Sequence, residues 1–108
     1  MKALTAFFGD GEHQFKLTTP LIVELESKCG AGIGTIAARV FARQFSQCDI
    51  VETIRLAAIG AGMPPKRAAE MVAAYVADQP LIASWPLASR ILEHVWFGEP
   101  HREALDKA

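Results

Sequence analysis

The stretch "TTPLIVELESKCGAGIGTIAARV", residues 18–40, sets three glycines, Gly30, Gly32 and Gly34, directly ahead of a helix-like run. Glycines in that place can turn backbone N–H groups toward a phosphate. What precedes them decides the fold. After a strand they would open a nucleotide-binding α/β domain; after a helix they are a cap and a connector. Here the preceding residues have a helical period. Leu21, Leu25 and Cys29 recur at i, i+4 and i+8 with Ile22 beside them, while Glu24 and Lys28 point away. Thr19 and Pro20 mark the start, as N-cap and first helical residue. Gly30 falls where a left-handed C-terminal cap belongs.

The chemistry agrees with that reading. A Walker loop needs a lysine and then Ser or Thr after its last glycine, whereas Gly34 is followed by Thr35 and Ile36. The spacing of "GAGIG" also misses the dinucleotide fingerprint. No nucleotide cofactor is expected.

Downstream, the sequence predicts a second helix from about Ile33 to Phe45. Its apolar stripe is Ile33, Ile36, Ala37, Val40 and Phe41, and Arg39 and Arg43 lie on its wet face. A third helix begins at Asp49, with Glu52 reaching back as in a capping box, and Gly60 or Gly62 ends it. Ile50, Ile54, Ala57 and Ala58 are its buried row. A fourth starts on Pro64 and Pro65 and turns Ala68, Met71, Val72, Tyr75 and Val76 inward. Pro86 then predicts a short turn at 80–84 and a helix over 86–97, with one kinked helix as the alternative. Gly98 and Pro100 stop it, and "HREALDKA" is a polar tail.

Upstream, the period drops to two. Phe15 and Leu17 share a face, and Asp10-Gly11 is a type I′ turn signal, so residues 3–18 read as a β-hairpin. The expected fold is therefore α+β and mostly helical. An N-terminal β-hairpin precedes a compact bundle of about five short helices, in one domain over 1–98 with a polar tail at 99–108.

Composition bounds the function. The chain of 108 residues is 51% apolar and 21% charged, which suits one globular domain. A mean hydropathy of +0.19 leaves apolar surface for a partner. The net charge of −1, with no basic stripe, argues against nucleic acid. The fourth helix, "RAAEMVAAYVA", offers alanines where a recognition helix would carry base-reading side chains. No apolar run approaches membrane-spanning length, and the N-terminal run meets Gly-Asp-Gly too early for a signal peptide. The chain reads as soluble and cytoplasmic.

Cys29 and Cys48 lie too far apart for a CxxC motif and are expected to be free thiols. His13, His94 and His101 form neither HxxxH nor HExxH, so no metal site and no catalytic residue is expected. The aromatic cluster near the end is different. Trp residues are enriched at interface hot spots, and Trp85, Ile91, Trp96 and Phe97 are the expected protein-binding anchors.

Three stretches together, "TTPLIVELESKCGAGIGTIAARV", "DIVETIRLAAIGAGMPPKRAAEMVAAYVADQPL" and "ASRILEHVWFGE", resemble the gene transfer agent family of small phage proteins. The resemblance covers about Gly11 to Gly98, and its most specific piece is Ile54 to Pro65. Members often have paired glycines before the Met, where this chain has Gly60-Ala61-Gly62. The family is described both as a phage tail tube protein and as a tail assembly chaperone, and it has no established catalytic residues. The resemblance implies a non-enzymatic tail morphogenesis factor, a chaperone for the tape-measure protein or tail tube subunits. A structural tail tube subunit is the alternative, and self-association is left open.

Overall fold

The computed structural model describes residues 3–98. Strands β1 (Leu4–Phe8) and β2 (Gly11–Phe15) form an antiparallel hairpin, paired from Leu4 with Phe15 to Phe8 with Gly11. The connecting turn is therefore Gly9-Asp10, one residue earlier than expected. Gly9 takes φ of 66° while Asp10 does not turn positive, which is the II′ pattern and needs glycine first. The Tyr75 ring lies against Gly9 and meets Phe8 edge-on at 6.4 Å, so the turn is held from outside the hairpin. Tyr75 is thus half outside the core that was expected to take it.

Five helices follow: α1 (Thr19–Cys29), α2 (Ile33–Phe41), α3 (Gln47–Gly60), α4 (Pro65–Tyr75) and α5 (Leu81–Phe97). The α+β, mostly helical class is as the sequence predicts. The hydrophobic period places Leu25, Ile36, Val40, Ile50, Ile54, Leu56, Ile91 and Leu92 in the core. Helix α3 is its axis, packing against α1, α2, α4, α5 and β2.

The end of β2 docks on the last turn of α3 through a backbone hydrogen bond. Lys16 N–H donates to the Ala57 carbonyl at 2.8 Å. A Cβ on Gly60 would overlap the Lys16 carbonyl oxygen, so only glycine admits this approach. The hairpin, marginal by itself, is stabilised by that contact and by burial of Phe8, Phe15 and Leu17.

Several boundaries differ from expectation, each for a local reason. Helix α1 has Thr18, not Thr19, as N-cap, which puts Pro20 in the first turn, where its missing N–H costs nothing. Gly30 does close α1 in the left-handed conformation. Helix α2 stops at Phe41 instead of 45. Arg43 takes φ of 59°, and the Gln44 N–H to Arg39 carbonyl and Arg43 N–H to Val40 carbonyl bonds make a Schellman motif.

Helix α3 begins with Ser46 as N-cap. The Ser46 hydroxyl accepts from Asp49 N–H and the Asp49 carboxylate accepts from Ser46 N–H, a reciprocal capping box one turn before the expected one. Glu52 pairs instead with Arg55, at 2.6 and 2.8 Å. Helix α5 runs unbroken from Leu81, the single-helix alternative, with Pro86 inside it. Pro86 and Ile82, whose carbonyl loses its intrahelical donor, are both exposed, so water can satisfy that carbonyl.

Candidate protein-binding face

Helices α2 and α5 lie against each other and run antiparallel. The Trp85 Nε1–H on α5 donates to the Val40 carbonyl in the last turn of α2 at 2.7 Å. Near the other end of α5, the Trp96 indole rests over Gly34 in the first turn of α2, where a Cβ would stand 3.9 Å from its ring. Trp85 and Trp96 are about three turns apart, so they share a face of α5. They do different work there. Trp85 is half-buried and carries the Arg43 guanidinium 4.8 Å above its ring. Trp96 is 59% exposed, and Phe97 beside it 49%.

Of the four expected anchors, the structure places Trp96 and Phe97 at the surface, Trp85 in a fixed hydrogen-bonded seat, and Ile91 in the core at 2% exposure. Ile91 sets the position of α5 without reaching its surface. Phe41, 38% exposed, sits seven residues from Gly34 and so shares the α2 face that Trp96 crosses. Sequence reading placed Phe41 in the inward stripe; its signal as a surface residue was the end of the helix immediately after it. A second group, Phe7 and Ile82, is 73% exposed at both positions. Strand alternation marks Phe7 as the outward partner of buried Phe8.

Several polar groups elsewhere are engaged internally. Arg39, expected on a wet face, grips the fully buried Asp49 through Nε at 2.9 Å and Nη2 at 2.7 Å. The Glu52 carboxyl is held below its ordinary value by its hydrogen bonds to Arg55, which in turn raise the Arg55 guanidinium. His13 and Asp10 bond across the hairpin turn at 2.8 Å, and that bond lowers the Asp10 carboxyl. At the glycine-rich connector, the Ile33 N–H that opens α2 donates to Glu26 Oε2 at 2.8 Å. A carboxylate of the chain itself occupies the place where a phosphate would bind.

Among the described residues no cluster of three or more His, Cys, Asp or Glu could hold a metal ion. No helix among them is long and apolar enough to cross a membrane. His101 and the tail at 99–108 lie outside the described residues.

The arrangement is a group of exposed aromatic side chains on a helical support. Residues 2–98 match the family described as "Phage tail tube protein, GTA-gp10". The chain belongs to this gene transfer agent and phage tail family. Membership makes it a phage tail-related protein and associates it with other tail proteins. The match spans the hairpin and all five helices, so the GTA-gp10 family embraces the whole described fold. No curated protein and no solved structure matches the chain.

Proposed function

We propose that the chain is a non-enzymatic tail assembly chaperone, acting in the cytoplasm of the bacterial host on the tape-measure protein or on tail tube subunits. The observation that carries this is the outward placement of Trp96 and Phe97 beside α2, with Trp85 bonded beneath the same face. Large aromatic side chains on a fixed helix lose little entropy on binding and are the usual hot-spot anchors. An amphipathic helix of a tape-measure protein would lay its apolar side across such a face.

The second reading is a structural tail tube subunit, and the family's description favours it. Against it stands the scarcity of strands, since β1 and β2 are the whole sheet among the described residues. Protein composition of purified particles separates the two. A chaperone is absent from finished particles and co-purifies with its client before assembly. Many copies of this chain per particle would establish the tube reading instead.

A further inference from the structure

Cys29 closes α1 and Cys48 stands in the first turn of α3, with α2 and both its connectors between them. The fold brings them together. Their Sγ atoms are 2.6 Å apart, and the Cys48 thiol also leans toward the Lys28 carbonyl at 3.5 Å. Both are free thiols and both are half-buried, within reach of a small reagent. Helices α1 and α3 pack directly on each other, so the approach is imposed by the core and does not depend on a mobile loop. Neither sulfur belongs to the aromatic face, and this inference stands independently of the function proposed above.

We propose that Cys29 and Cys48 are a covalent modification site, which a small disulfide oxidant such as oxidised glutathione closes into an intramolecular disulfide joining the end of α1 to the start of α3. The Cys48 thiolate attacks one glutathione sulfur, the S–S bond of the oxidant breaks, and one glutathione leaves. The Cys29 thiolate then attacks the Cys48 sulfur and expels the second glutathione. Two protein thiols lose two electrons in total, one glutathione disulfide gains them, and the two thiol protons end on the two glutathiones.

The surroundings of Cys29 bear on which sulfur attacks first. Burial first, then the hydrogen bond to Cys48 and the nearby Asp49 and Glu52 carboxylates, push its thiol up. That makes Cys48 the readier sulfur for the first attack, and either order yields the same disulfide. Once Cys48 is in the mixed disulfide, its thiol no longer holds the Cys29 proton in place, and the second step can proceed.

The test is oxidation of the purified, fully reduced chain with oxidised glutathione in native buffer, read by intact mass, maleimide labelling and non-reducing electrophoresis. The expected product is a monomer that has lost two hydrogens, takes up no maleimide and retains no glutathione. Its Tm should be higher by about 10 °C or more, because a loop of roughly twenty residues is closed in the unfolded state. Dithiothreitol should reverse both changes. Cys29→Ser and Cys48→Ser should each stop at a glutathione adduct or remain reduced, with no rise in Tm; the two together keep the test valid if one variant folds poorly. Closure should also be at least about tenfold slower in guanidinium, where the two sulfurs are separated. Two maleimide-reactive thiols after oxidation, a persistent adduct on the wild type, a disulfide-linked dimer, or equal rates folded and unfolded would each overturn the proposal.

Discussion

Arg39 on α2 holds the Asp49 carboxylate of α3 in a two-pronged grip, and Asp49 has no exposed surface at all. The same carboxylate caps α3 by accepting from Ser46 N–H at 3.0 Å. One side chain thus fixes where a helix begins and which helix lies beside it.

Removing Arg39 leaves that charge buried and uncompensated. Arg39→Ala should cost about 3 kcal/mol of unfolding free energy in urea titrations. Arg39→Lys should recover only part of it, because an ammonium cannot reproduce the paired geometry. An alanine variant within 0.5 kcal/mol of wild type, roughly the scatter of surface substitutions, would show that the pair is dispensable.

Glu52 gives a pH signature. Its folded pKa lies below the ordinary 4.5 because it bonds Arg55. The unfolded chain therefore binds its proton more readily than the folded one. The stabilisation is fully present above pH 4.5 and is lost as pH falls through the folded value. Glu52→Gln should be less stable at neutral pH and lose less stability on acidification. Parallel acid slopes for the two proteins, followed by circular dichroism, would count against this.

Gly60 has no room for a side chain beneath the Lys16 carbonyl. Gly60→Ala should destabilise by about 2 kcal/mol, despite alanine's better helix propensity, because the hairpin must shift. Amide exchange should show the loss concentrated in β1 and β2, with α3 still protected.

Trp96 and Trp85 should behave oppositely. Trp96→Ala removes an exposed ring and should leave Tm within a few degrees while weakening client binding about tenfold or more. Trp85→Phe removes the donor to the Val40 carbonyl and should lower stability by about 1 kcal/mol. Calorimetric titration against the tape-measure protein, beside thermal melts, measures both. Normal binding by Trp96→Ala would remove the aromatic anchor from the mechanism.

How far the sequence revealed this depends on the range of each interaction. Leu25, Ile36 and Ile54 announce their burial through period, and Gly30 its cap, because those signals are local. The start of α3 is ambiguous in sequence because Ser46–Asp49 and Asp49–Glu52 both offer a capping residue with an acid three positions on. Two arginines decide between them, Arg39 from another helix and Arg55 one turn on. The meeting of Cys29 with Cys48 had no local signal at all, since nineteen positions separate them and α2 lies between. Of the aromatic group, composition located the region. It could not tell Ile91 from Trp96, because that distinction is made by which side of α5 meets the core.

The backbone strap between Lys16 and Ala57 also orders events during synthesis. The hairpin leaves the ribosome before α3, and its acceptor carbonyl is polymerised about forty residues later. Until then a two-stranded ribbon must wait, with Phe8 and Phe15 uncovered. The ribbon is thus made well before the helix that secures it, and its apolar side chains stay open to wrong partners in the interval.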